Sequence, residues 1–181
     1  MIPSIKKCVF ILLLLLPRSL PAQNEAEISL PGGFREIVLG NELQQVKQQL
    51  MNDPLFDYRG DPDVSFLPLP EQTLIECRGN SYINRAYFQF HEQKLYILIL
   101  SLDRQKLDYF TMFSTLTEKY GDPDALSPSD AVWSSEEVRF SLERPLNIKY
   151  IDRRVFEALR DQGKAEKDLR DLSKQNFLKL F

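Results

Sequence analysis

The amino-acid sequence predicts an α+β protein: an antiparallel sheet from two helix-plus-three-strand units, helices mainly on one face, plus a C-terminal helix. Three observations predict it. Leu95 to Leu102 is apolar at both alternating positions except Ser101, the pattern of a strand covered on both sides. The next run places Tyr109, Phe113, Leu116 and Tyr120 at helical spacing with Met112 alongside, which makes one apolar stripe. The third observation is order. A short helix precedes three strand-like runs, and the second helix precedes three more, as in sheets whose helices pack on one face.

In chain order, the first element is a secretory signal peptide over residues 1–22. Lys6 and Lys7 form a basic start, Val9 to Leu16 an apolar run, and Pro17 to Ala22 a helix-breaking stretch with a small residue at its end. Spanning a bilayer takes about 20 apolar residues, so the run reads as a leader cut after Ala22. Cys8 precedes the apolar run, so no cysteine stands where a lipid would be attached. The predicted product is exported, periplasmic or extracellular, with no transmembrane segment after cleavage.

Residues 23–151 then read as a single α+β domain. The lead-in is polar and ends in Pro31-Gly32-Gly33, and Phe34 to Leu39 alternates as a short strand or entry segment. Asn41, with Gln44 three residues on, is placed as the N-cap of a helix carrying Leu43, Val46 and Leu50. Residues 53–72 hold four prolines and Gly60 and read as a long connection. Strands are predicted at about 73–78, 82–90 and 94–102, with turns at Gly79-Asn80 and Glu92-Gln93. The helix of about 104–120 is closed by Gly121 and stopped by Asp122-Pro123. Strands at about 131–134, 137–142 and 146–151 complete the second unit. Residues 152–181 form a charged helix and an apolar tail, with Phe156, Leu159, Leu169 and Leu172 on a thin stripe.

Charge narrows the function classes. Removing residues 1–22 takes away Lys6, Lys7 and Arg18 and no acid, leaving 20 basic against 26 acidic residues. That balance argues against nucleic-acid binding, which rests on cationic neutralisation of phosphates. The charge is uneven, since residues 152–181 hold eight Lys or Arg against six Asp or Glu. After cleavage only Cys77 remains, so no intramolecular disulfide can form. Ile75 and Cys77 share a strand face, and Cys77 reads as a buried small hydrophobe.

Two segments carry a resemblance. Leu39-Gly40-Asn41-Glu42-Leu43-Gln44-Gln45-Val46-Lys47, and later Phe88-Gln-Phe-His-Glu-Gln-Lys-Leu95, resemble the helix start and hairpin of BamE/SmpA-like small periplasmic envelope proteins. The related β-lactamase-inhibitor-protein-like fold doubles a helix-plus-sheet unit. The resemblance implies a periplasmic assembly or binding role and no catalytic one. The chain departs from that family in lacking the N-terminal lipid-anchoring cysteine and in its longer connection.

Catalytic chemistry finds little to use. His91 is the single histidine, and it stands beside the Glu92-Gln93 turn, where exposed side chains do not meet the geometry a general base needs. Zinc needs His or Cys in number. Asp53, Asp57, Asp61 and Asp63 lack the spacing of a calcium loop and its Glu at position 12. Arg59-Gly60-Asp61 matches the integrin-binding tripeptide on an expected surface loop, but a match of three residues recurs by chance and does not define an adhesion site. The end, Phe177-Leu178-Lys179-Leu180-Phe181, resembles the terminal signal of outer-membrane barrels, but the chain lacks the strands a barrel requires.

The reading is an exported, non-enzymatic protein-binding or envelope-assembly module that takes another envelope protein as partner, with no cofactor, metal or catalytic residue. Phe177, Leu178, Leu180 and Phe181 are its candidate contact residues. The alternative is a periplasmic ligand-binding protein or hydrolase using acids of the 53–72 loop. A deep acid-lined pocket favours the alternative; an exposed aromatic surface favours partner binding.

Overall fold

The computed structural model describes residues 29–66 and 71–164. The chain runs β1 (Gly33–Phe34), β2 (Ile37–Val38), α1 (Leu43–Asn52), β3 (Phe56–Asp57), β4 (Val64–Phe66), β5 (Gln72–Gly79), β6 (Ile83–His91) and β7 (Lys94–Leu102). It continues with α2 (Tyr109–Tyr120), β8 (Ala125–Leu126), β9 (Asp130–Ser134), β10 (Val138–Glu143) and β11 (Asn147–Asp152). A third helix, α3, covers residues 153–164. Among the described residues, strands β1 and β2 pair only with each other, and the rest form one sheet in the order β3–β5–β6–β7–β11–β10–β9–β8, with β4 also on the outer edge of β5.

The two predicted units are visible in that order. Strands β5–β6–β7 and β9–β10–β11 are two meanders, each preceded by a helix, and their third strands meet at the centre as an antiparallel pair. Leu98 lies opposite Tyr150, and Leu100 opposite Ile148. Because directly opposed residues share a face, side chains line up in rows across the sheet. One row runs Val64, Ile75, Phe88, Leu98, Tyr150, Phe140, Trp133. The next runs Cys77, Ala86, Leu100, Ile148, Leu142, Ala131, Leu126. Both rows except Leu126 belong to the main hydrophobic cluster, which takes Val46 and Leu50 from α1 and Leu116 from α2.

Strand β7 is covered on both faces, as its apolar run requires. A register shift between Gln89 and Phe90 sets Leu95 and Leu98 into the same core. Tyr96 and Ile97 turn to the other face, where Ile151 joins them and Val155 and Leu159 of α3 pack over them. Asp152 starts α3 by accepting from the Val155 N–H at 3.0 Å.

Three local readings change. The N-cap of α1 is Glu42, with no side-chain cap. Asn41 instead accepts from the Val38 N–H at 2.9 Å, and the Leu43 N–H is satisfied by the Gln93 carbonyl at 2.8 Å, so the hairpin backbone replaces the cap. Helix α2 begins at Tyr109, not near 104, because Asp108 accepts from the Thr111 N–H at 2.9 Å; residues 104–106 are a turn. The β5–β6 connection is longer than a Gly79-Asn80 turn. Gly79 is the last residue of β5, and a Cβ there would run into the Ile83 side chain, so this close approach requires glycine. No helix among the described residues is long and apolar enough to cross a membrane. Leu169 and Leu172 of the predicted stripe lie outside the described residues.

Candidate functional site

Strand β8 closes the sheet beside the second unit, with β9 as its single neighbour among the described residues. Its position follows from the end of α2. Gly121 takes φ +79°, a value glycine adopts without a Cβ clash, and its carbonyl accepts from Trp133 Nε1 at 2.9 Å. That bond ties the helix end to β9. Asp124 then accepts from the Ser134 N–H at 2.6 Å, which lays Ala125 and Leu126 along β9.

Each face of this edge carries a cavity, and Leu126 and Ser127 line both. On the α2 face the cavity is about 570 Å³ and walled by Tyr109, Phe110, Phe113 and Leu126. Tyr109 and Phe113 stack with centroids 6.5 Å apart. The Arg144 guanidinium lies 4.1 Å from the centroid of Tyr109, a cation–π contact, and its Nε donates to the Pro128 carbonyl at 2.9 Å. Phe110 and Leu126 are 76% and 65% exposed. A buried row of the sheet therefore ends in an exposed leucine, and a helix that buries Leu116 presents a phenylalanine to solvent. Large apolar side chains grouped in this way mark contact surfaces.

On the opposite face the cavity is about 420 Å³, between the sheet and α3, and carries Arg139, Arg153, Arg160 and Phe156. Arg153 donates to the Ser135 carbonyl at 2.6 Å and to Glu157 at 3.2 Å. Arg139 approaches Asp130 at 3.9 Å, while its Nε is buried with no partner among the described residues. The Asp130 carboxyl is held below the usual range chiefly by the Ser127 hydroxyl, so it stays an anion that occupies part of this positive charge.

The far edge of the sheet holds the acids of the 53–72 connection. A polar cleft of about 470 Å³ is lined by Asp57, Arg59, Asp63, Glu76, Arg78 and Arg85. Buried Asp63 takes the Arg59 guanidinium and the Arg59 N–H, and Glu76 takes Arg85. Arg59 is thus folded back onto its own loop, and Asp61, with a side chain 98% exposed, lies 3.7 Å from Lys47. Tyr58 is pushed above its usual pKa by burial first, then by Asp61 and Asp63. Cys77 is buried, and burial pushes its thiol up to about 12, so it carries no thiolate at neutral pH. Among the described residues, no three His, Cys, Asp or Glu side chains are grouped to hold a metal ion.

His91 requires a correction. Its side chain is only 21% exposed, against the Tyr96 ring at 6.4 Å, with Nδ1 buried and unpartnered among the described residues. The tight turn beside it is exposed, but the sheet face it occupies is not. Phe177, Leu178, Leu180 and Phe181 lie outside the described residues. Phe110 and Leu126 escaped the sequence reading because each is a lone apolar residue off its element's pattern. Phe110 stands one position from the α2 stripe, and Leu126 stands in a stretch, 122–130, whose Pro and Ser residues carry no strand pattern.

The fold and this edge define a small α+β domain with an exposed aromatic groove beside an open strand. Residues 32–162 match the family model of the TP0088 domain, and the chain belongs to that family. Comparison with curated proteins and with solved structures gave no match.

Proposed function

We propose that this chain is an exported, non-enzymatic protein-binding module whose partner is another envelope protein. The observation that supports it most is the groove of Tyr109, Phe110, Phe113 and Leu126, in which two large apolar side chains stand in solvent. Aromatic side chains gathered around an arginine are the composition of contact hot spots, and Arg144 stands over Tyr109 here. The leader-like residues 1–22 and the resemblance to BamE/SmpA-like proteins support the compartment and the binding role. The experiment is capture by the tagged, exported chain from its own envelope, with Phe110→Asp as the test variant. Phe110 contributes little to the core, so the melting temperature should stay within about 2 °C while recovery of the partner falls at least ten-fold. Equal recovery with the variant removes the groove from the account.

A further inference from the structure

We infer that β8 is a docking edge for an extended segment of a partner protein in which acidic and large apolar residues alternate, the partner strand extending the sheet. This rests on the protein-binding reading and gives that site its ligand chemistry. The Ser127 N–H donates to the Asp130 carbonyl at 2.8 Å, so Ser127–Asp130 is a hydrogen-bonded position of the β8–β9 pair. Hydrogen-bonded and non-bonded pairs alternate in antiparallel ladders. Leu126, opposite Ala131, therefore aims its N–H and C=O away from β9, at the open edge. Such an edge is a template for strand addition.

The faces follow from the same register. Ala131 is in the core on the α2 side, so Leu126 faces that side, while Ala125, opposite Val132, faces α3. A partner residue opposite Leu126 places its side chain over Tyr109, Phe110 and Phe113. The residues before and after it fall opposite Ala125 and Ser127 and project to the other face, toward Arg139, Arg153 and Arg160. The two cavities flank one strand and differ in chemistry: one is aromatic, and the other holds three arginines against Asp130 and Glu157. The Arg139 side chain is 43% exposed and approaches Asp130 through one guanidinium nitrogen at 3.9 Å, so its accessible guanidinium edge gives an incoming carboxylate a donor. An acidic–apolar–acidic order satisfies both faces in either strand direction.

The test is a fluorescence-polarisation titration of the exported chain with three labelled peptides. The first is Glu-Ile-Glu-Leu-Glu-Ile-Glu, the second has Lys at every Glu, and the third has the first's composition with the four acids consecutive. The first should bind at least ten-fold more tightly than either control. Leu126→Pro removes the outward N–H without touching a bond to β9 and should weaken it at least ten-fold. Arg160→Glu changes an exposed side chain, so it folds whatever Pro does at 126; it should weaken the acidic peptide and tighten the Lys peptide several-fold. Equal binding of the acidic and Lys peptides, or no effect of Arg160→Glu, overturns the inference. The chain's own Glu25-Ala26-Glu27-Ile28 has the same alternation. If Glu25→Lys with Glu27→Lys raises peptide affinity ten-fold, this chain's lead-in is the occupant and the partner proposal is wrong. If Phe110→Asp abolishes capture of the natural partner while Leu126→Pro, folded, does not, the binding reading stands and strand addition is overturned.

Discussion

Asp108 is one residue whose effect exceeds its size. It caps α2 through the Thr111 N–H at 2.9 Å and the Thr111 hydroxyl at 2.6 Å, and so fixes where the helix presents Tyr109, Phe110 and Phe113. These bonds hold its carboxyl below the usual range, the Thr111 hydroxyl contributing most. Asp103 is lowered as well, chiefly by the Gln105 N–H. A depressed folded-state pKa stabilises the fold above the ordinary carboxylate range, and this contribution disappears as pH falls through the folded value. Melting temperature should therefore drop below about pH 4. Asp108→Asn keeps an oxygen acceptor at the cap but loses the titration, so its fall from pH 4 to 2 should be shallower than that of the parent. Parallel melting curves for the two chains across that range would separate the cap from the acid sensitivity.

At the scale of elements, the two sides of β7 are held unequally. Leu98 is fully buried between Phe88 and Tyr150 at the centre of the sheet, whereas Leu159 of α3 is only partly buried on the opposite face. Leu98→Ala should cost about 2–5 kcal/mol, because it leaves a cavity that rigid neighbours cannot fill. Leu159→Ala should cost about 1–2 kcal/mol, in line with a half-covered side chain. Chemical denaturation of both variants checks the ranking, and equal losses would place α3 on the same footing as the main core. The strands were legible because alternation is a direct image of a two-faced sheet: the apolar alternation within about 137–142 marks β10, and Leu95 to Leu102 marks a doubly covered β7. Helix starts were less so. The α1 start is capped by a carbonyl from Gln93, a residue about fifty positions away, and no local signal announces a tertiary cap.

For the whole molecule, the pairing of β7 with β11 explains why one edge matters. Joining two meanders through their third strands leaves the first strand of each unit outermost. In the first unit β3 and β4 cover that strand, β5. In the second, only the two residues of β8 lie beyond β9 among the described residues, which leaves that edge of the described sheet extendable. The sequence announced the doubled unit through its repeated order of elements. The site depends on which apolar residues fail to be covered, a property of the assembled surface that periodicity does not encode; Phe110 and Leu126 look like any other phenylalanine and leucine until their neighbours are in place. Contact between this edge and the proposed envelope partner is read by site-specific photocrosslinking in the native envelope. A benzophenone side chain replaces Phe110 in one chain and Tyr82, 54% exposed in the β5–β6 turn, in the other. The account predicts a discrete adduct with another envelope protein from position 110 and none from position 82. No adduct from 110, or the same adducts from both positions, would contradict it.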